Sequence, residues 1–315
     1  GASVPVAVPL EGEGAISPTV TDTFAQLAAP QADVLFVVDN SGSMSEEQGS
    51  LASNLGAFLS FATQQSIDYQ LAVTTTDVEG GANGRFVSGP DAFGTPRIIT
   101  PQTPNAANTF ASFVNQGTNG SGNEQGLEAA YLALSDPLIN THNAGFLRAD
   151  AALAVIIVSD EEDYSPRQES FYENFFRNIK GFQNSSQFSL SAVVGTTQGG
   201  CVGPGGTADY GSRYVQVAGN TGGVVESICA ANWGQTLANI SLNSFGLRRT
   251  FQLSSQPVPV TVAVTVNGAP VPSSLPGGRG NWSYDQATNT VGFTQAATPP
   301  AGATVAITYT VACLP

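Results

Sequence analysis

The chain has 315 residues, 41% of them apolar, enough to bury one large core or two smaller ones. Only 11% of residues are charged, the net charge is −14 and Lys180 is the only lysine, which argues against nucleic acid and anionic membrane as partners, since both need basic patches. No apolar run approaches about 18 residues, so no transmembrane helix is expected. Abundant Gly, Ser, Thr and Asn suit a secreted or surface protein better than a cytosolic one. No signal peptide is visible, and Gly1 reads as a processed or truncated start.

Residues 1–29 open with alternating Val4, Val6, Val8 and Leu10 punctuated by prolines, an edge-strand pattern. From Val34 to about Leu253 buried strands alternate with amphipathic helices. Val34–Val38 is a five-residue apolar run, the mark of a strand buried on both faces. Leu51, Leu55, Phe58 and Leu59 share a helical face, and Tyr69–Asp77 reads as a strand. Leu127, Tyr131 and Leu134 mark a second helix, and Leu153–Asp160 a second buried strand that ends in an acid. Phe171, Phe175, Phe176 and Ile179 form the next helical stripe, Phe188–Gly195 another strand, and Trp233, Leu237 and Ile240 a last helix. This alternation predicts an α/β unit over residues 30–254 with a doubly wound, mostly parallel sheet. Two glycine-rich excursions, residues 80–104 and 196–209, interrupt it.

After Ser254 the pattern becomes all-β. Val258, Val260, Val262, Val264 and Val266 alternate up to Asn267-Gly268, a hairpin signal, and Val305, Ile307, Tyr309 and Val311 alternate again. Residues 255–315 offer few strands for a closed core. Residues 1–29 are therefore expected to complete a small Ig-like β-sandwich, into which the α/β unit is inserted.

The three cysteines are Cys201, Cys229 and Cys313, with no C-x-x-C pair and one histidine, His142, so a Cys/His zinc site is not expected. Cys201 and Cys229 are expected to form a disulfide in an oxidising compartment. Cys313 is left over, either free or paired upstream of Gly1.

At the end of the first buried strand stand Asp39, Ser41 and Ser43, one carboxylate and two hydroxyls in alternation. All are oxygen donors of the kind a hard divalent cation takes, and a helix cap needs only one of them. Asp39-Asn40-Ser41-Gly42-Ser43 resembles the Asp-x-Ser-x-Ser motif of von Willebrand factor type A (VWA) domains, where it forms the metal-ion-dependent adhesion site. The resemblance covers roughly Gln31 to Ser254. It implies that Ser41 and Ser43 present hydroxyls to a cation, that Asp39 supplies charge through water, and that Asp160 is the last metal-site Asp. Glu161, Glu162 and Asp163 read as solvated acids.

For the third loop the residues leave two choices. Ser121 stands in for the Thr of most family members, or Glu124 serves, as in the integrin β-subunit version that Glu124-Gln125-Gly126-Leu127-Glu128-Ala129 resembles. Met44-Ser45-Glu46-Glu47 resembles the same version, which favours Glu124 and implies a second, adjacent calcium at Glu46 and Glu47. Those two glutamates also fit a helix's first turn without any metal. Asp77 is a further strand-end candidate.

The resemblance and the coordination chemistry together imply Mg²⁺, with Ca²⁺ or Mn²⁺ fitting the same oxygens. They imply a bacterial cell-surface or secreted adhesin that grips a partner protein or surface ligand through a carboxylate. It would be extracellular or at the cell surface, where a segment outside this chain could anchor it. The alternative is a structural module of a larger envelope assembly with a stabilising metal. Catalysis is not expected: His142 lies in a loop, and neither a Ser/His/Asp order nor a Gly-x-Ser-x-Gly elbow occurs. Oligomeric state is not legible.

Overall fold

The computed structural model describes residues 18–26, 30–64, 66–88, 97–181, 184–245, 247–273, 280–294 and 297–312. The expected strand Val4–Leu10 and Cys313 lie outside the described residues. The first described strand is β1 (Thr19–Ala25). β2 (Gln31–Val38) then leads into α1 (Ser45–Gln64), and β3 (Asp68–Thr75) is followed by α2 (Ala106–Val114) and α3 (Gly126–Ala133). β4 (Ala152–Val158) precedes α4 (Glu169–Asn178). β5 (Phe188–Val194) runs into a small hairpin, β6 (Cys201–Gly203) and β7 (Gly206–Ala208), and then α5 (Ser212–Asn220). β8 (Val225–Ser227) and α6 (Trp233–Ser244) complete the α/β part.

Its five strands lie in the order β3-β2-β4-β5-β8, and every neighbouring pair is parallel. Successive residues of β2 serve opposite faces, as the two-residue period of a strand requires. Val34, Phe36 and Val38 pack with Leu55 and Phe58 of α1, Phe110 of α2 and Leu237 of α6. Leu35 and Val37 pack with Leu127 of α3, Tyr172 and Phe176 of α4 and Tyr214 of α5. Helices on both faces leave the central strands no wet side, which is why they read as unbroken apolar runs. In α4 the expected stripe holds at Phe176, which is buried, and at Phe175 and Ile179, which pack partly buried against the same core; Tyr172 joins them and Phe171 departs. Phe171 is 38% exposed and meets Tyr131 edge-on instead.

At the N-terminal end of β2, Asp33 is fully buried and receives both the backbone N–H and the Nε of Arg148, at 2.8 and 2.7 Å. The same guanidinium reaches Asp68 at 2.8 Å.

The remaining strands are β9 (Thr250–Gln252), β10 (Ala263–Val266), β11 (Ala269–Val271), β12 (Trp282–Asp285), β13 (Thr290–Phe293) and β14 (Thr304–Thr310). They form two antiparallel sheets, β1-β14-β10-β11 and β12-β13-β9. β1 pairs with β14 along its whole length, from Thr19↔Thr310 to Ala25↔Thr304. Phe24, Val264, Val305, Ile307 and Tyr309 of one sheet share a core with Phe251, Trp282, Val291 and Phe293 of the other. The alternation from Val258 to Val266 is only half strand: Pro259–Thr261 forms a 3₁₀ turn and leaves Val260 92% exposed. Pro259 has no N–H to give a ladder, so pairing starts beyond it. Asn267 and Gly268 both have positive φ (52° and 78°), as a two-residue hairpin turn demands. The two passages between the parallel sheet and the antiparallel part touch, for Gln26 Nε2 donates to Arg248 O at 2.8 Å.

Cys201 and Cys229 form a disulfide, tying β6 to the segment after β8. Among the described residues no helix is long and apolar enough to cross a membrane.

Candidate functional site

Parallel strands end on one edge of a sheet, and ligands of open α/β folds bind in the crevice there. At this edge the ladder runs one residue past the strands: Asp39 N bonds Val158 O at 2.9 Å and Thr76 N bonds Val38 O at 3.3 Å. The loops that leave it carry Asp39, Asp77 and Asp160, and Glu124 arrives from the α2–α3 connection.

Asp39 is buried and tied on both oxygens, by Ser41 N (2.8 Å) on Oδ1 and by the Ser159 hydroxyl (2.7 Å) on Oδ2. Gln48, in the first turns of α1, donates to the backbone oxygen of Asp39 (2.8 Å) and to that of Gly117 (2.9 Å), locking two loops together. The Ser41 and Ser43 hydroxyls lie 3.3 Å apart. Ser41 is 2% exposed whereas Ser43 is exposed, so the group opens to solvent on the Ser43 side.

The Glu124 loop is held on four sides. Gly120 N donates to Asn40 O (2.8 Å), Gln125 N to Thr76 O (3.1 Å), Tyr164 N to Glu124 O (2.6 Å) and Leu127 N to Asp163 Oδ1 (3.2 Å). Gly120 sits so close to Asn40 that a Cβ there would meet its side chain at 2.5 Å. Glu124 itself is fully buried, and both carboxylate oxygens lack a hydrogen-bond partner among the described residues. Ser121 is spent locally: its N–H donates to Asp77 Oδ2 (3.2 Å) and its hydroxyl accepts from Asn123 N (3.1 Å).

Asp77 also accepts the backbone N–H groups of Glu79 (3.0 Å) and Gly80 (2.9 Å). Burial pushes its carboxyl up, but these donors outweigh it and hold the pKa below the usual value. The other acids go the opposite way. Burial raises Asp39 against the pull of Ser159 and Ser41, with Asp160 adding to the rise. Burial also raises Asp160, despite the Ser43 hydroxyl. Glu124 is pushed up to about 8 by burial and by the charges of Asp39, Glu161, Asp160 and Asp77. None of the ion pairs among the described residues involves these acids. Acids crowded without counter-charge call for either protons or a cation.

No three His, Cys, Asp or Glu side chains among the described residues gather closely enough to hold an ion by themselves. A cation here depends on the two serine hydroxyls as well. The donor chemistry still fits one: Glu124 has two orphaned oxygens, Asp160 Oδ1 has no partner, and the Ser41 and Ser43 hydroxyls at the same strand-end edge are 3.3 Å from each other.

The second candidate pair divides. Glu46 is exposed, while Glu47 is 2% exposed, with Oε2 unpartnered and Oε1 against Gly206. Gly206 has φ 131° and a Cβ there would lie 2.0 Å from that oxygen, so only glycine suits the hairpin.

Two of the acids read as solvated are structural. Asp163 is 2% exposed, accepts Leu127 N at the start of α3 and lies 3.1 Å from Arg213. Glu162 accepts Ser212 N (3.0 Å) and Arg213 N (3.1 Å) at the start of α5. Both meet the unpaired N–H groups that open a helix. Glu161, also read as solvated, is only partly exposed. Ser159 and Gln48 were not singled out from sequence. Only the place of Ser159, next to Asp160 at a strand end, hinted at a role. His142 is occupied elsewhere, with Nε2 3.1 Å from Phe86 O.

No family model matches the chain, and no curated protein matches it either. Among solved structures it is similar to proximal thread matrix protein 1 from the mussel byssus in one crystal form, at 13% identity and TM-score 0.45 over 74% of this chain and 52% of that one. The pilus adhesin SpaC from Lactobacillus rhamnosus GG aligns at 12% identity and TM-score 0.41, over 92% of this chain and 41% of that one. The chain spans about half the length, or less, of these structures.

Proposed function

We propose that the protein is an extracellular adhesin whose α/β part is a doubly wound VWA-type unit, inserted between the two halves of a β-sandwich. Its crest holds a divalent cation, Mg²⁺ in preference to Ca²⁺ or Mn²⁺, through Ser41, Ser43, Glu124 and the acids Asp39 and Asp160. The observation that carries this is Glu124: a fully buried carboxylate, without a hydrogen-bond partner on either oxygen among the described residues, whose pKa is pushed up by burial and by the charges of further acids. Bound there, a divalent cation supplies an open coordination position for a partner's carboxylate. Asp39, fixed by Ser41 and Ser159, orients the loop. Exposed Ser43 marks the side from which a partner approaches, and the loop before α5 reaches the same edge, for Asp209 N donates to Asp160 O at 2.8 Å. Glu124 suits the role better than Ser121, whose hydroxyl is already engaged by Asn123. The unpartnered Glu47 oxygen supports a second calcium beside Glu46. A catalytic role finds no support in the arrangement. The disulfide fits an oxidising, extracytoplasmic compartment.

Calorimetric titration with Mg²⁺ tests the site. Asp39→Ala and Glu124→Ala are expected to abolish the binding heat, and Ser121→Ala to leave most of it. Equal heats from wild type and Asp39→Ala would remove the assignment. Adhesion of protein-coated beads to a native surface is expected to vanish in chelator and to survive moderate salt, since screening weakens the repulsion between the −14 chain and an acidic partner. A purely stabilising metal would leave adhesion unaffected by chelator.

A further inference from the structure

We propose that the outer edge of β1 accepts residues Val4–Leu10 of a second copy of this chain as an added parallel strand. β1 is a seven-residue edge strand, lying first in the order β1-β14-β10-β11. The other edge of that sheet, β11, is three residues long and contains Pro270, which blunts it.

The hydrogen-bond phase of β1 is fixed by its two ends. Val311 N donates to Pro18 O (3.0 Å) and Gln26 N to Ala303 O (2.7 Å). Peptide groups alternate in direction along a strand, so Val20, Asp22 and Phe24 turn theirs toward β14. Thr19, Thr21, Thr23 and Ala25 turn theirs outward, where none has a backbone partner among the described residues. The side chains of Val20 and Phe24 face the sandwich core, and those of Thr19, Thr21, Thr23 and Ala25 are exposed.

A strand that joins this edge and buries Val4, Val6, Val8 and Leu10 on the core side has two ways to lie. Antiparallel, directly opposed residues share both a face and their hydrogen bonds, so the bonding residues would be Ser3, Pro5, Ala7 and Pro9. Two of those four have no N–H. Parallel, the bonding residues sit opposite Val20, Asp22 and Phe24 and share their core face, so Val4, Val6, Val8 and Leu10 supply every N–H. Pro5 and Pro9 then fall on the new outer edge, where proline stops further addition. Parallel pairing to the strand of the same chain needs a crossover of about a dozen residues or more, and only residues 11–18 lie between Leu10 and Thr19. The parallel donor must therefore come from another copy. Donor and acceptor are different surfaces, so the contact is head-to-tail and propagates unless it closes into a ring. None of this depends on the crest.

The test mixes two full-length chains, both carrying Cys313→Ser. One carries a single cysteine at Ser3, Pro5, Ala7 or Pro9, the other Thr21→Cys or Thr23→Cys. Under mild oxidation, crosslinked dimers are expected, and the donor position that links best is expected to advance by two residues when the acceptor moves from Thr21 to Thr23. A best position that instead steps back by two means antiparallel addition and overturns the proposal. So does a bond that forms only when both cysteines are on one chain, or a mixture that stays monomeric at every concentration.

Discussion

The Ser159 hydroxyl donates to Asp39 Oδ2 at 2.7 Å, across the adjacent C-terminal ends of β2 and β4. Because Ser41 N takes the other oxygen, the Asp39 carboxylate has a single orientation set by two neighbouring loops. Ser159→Ala leaves a buried carboxylate oxygen without its donor, at an expected cost of about 1–3 kcal/mol in the metal-free protein. It is also expected to weaken Mg²⁺ binding about 10–100-fold, the usual effect of losing a hydrogen bond that orients a ligand. Urea denaturation and calorimetric titration read the two effects. Unchanged affinity would place Asp39 outside the cation site.

Glu124 yields a pH signature. Its ordinary pKa of 4.5 is pushed up to about 8 in the fold, chiefly by burial. In chelator the folded protein keeps a proton that the unfolded chain releases above about 4.5. Stability from this group is thus complete below that pH, declines as pH rises and is gone above about 8. Glu124→Gln is expected to lose this slope and to be more stable than wild type near pH 8 in chelator, by a few kcal/mol at most. Saturating Mg²⁺ is expected to reverse the order, because only the wild type gains from the ion. Parallel pH profiles for the two proteins would refute the carboxylate's burial.

Arg213 holds the Glu124 loop at one remove. It lies 3.1 Å from Asp163 and 2.6 Å from Glu169, and it donates to Ser165 O at 2.7 Å. Asp163, already raised to about 6 by burial, accepts Leu127 N at the start of α3. Arg213→Ala strands that carboxylate, and a loss of about 3–5 kcal/mol is expected from thermal melts. Asp163 should titrate still higher, since burial remains and its counter-charge is gone. Adding Asp163→Asn is expected to recover part of the loss.

The Cys201–Cys229 bridge closes a loop of sequence separation 28. The chain-entropy model assigns such a loop about 3–4 kcal/mol. Reduction, or Cys201→Ser with Cys229→Ser, is expected to lower the melting temperature while leaving α1 and the central strands folded. A melting temperature unmoved by reductant would contradict it.

The central strands and α1 were legible because β2 and β4 are buried on both faces and carry the unbroken apolar runs Val34–Val38 and Ala152–Val158. α2 and α5 were not. α2 follows Pro104 and a left-handed Asn105, so it begins where the chain still reads as an irregular loop. α5 contains Gly219 and Val215, and its start is secured by Glu162, fifty residues upstream, a contact no local pattern displays. At the crest, Asp39, Ser41 and Ser43 stood out by spacing. That Glu124 is enclosed and Ser121 engaged by Asn123 depends on how four loops meet, and spacing does not carry that. The same holds for Asp163, whose run of acids looked solvated until Arg213 and the N-terminus of α3 came to it from elsewhere in the chain.

The pairing of β1 with β14 also sets a path for mechanical force. Pro18 and Val311 are bonded neighbours at one end of that ladder. Tension applied between them peels the two strands from the end, loading one rung at a time. The parallel sheet lies in the chain between these strands and is bypassed while any rung holds, with Gln26 and Arg248 stitching its two entrances together. A pull transmitted through the flanking strands thus reaches the crest only after the ladder has unzipped, which leaves Asp39 and Glu124 slack while any rung of β1 and β14 holds.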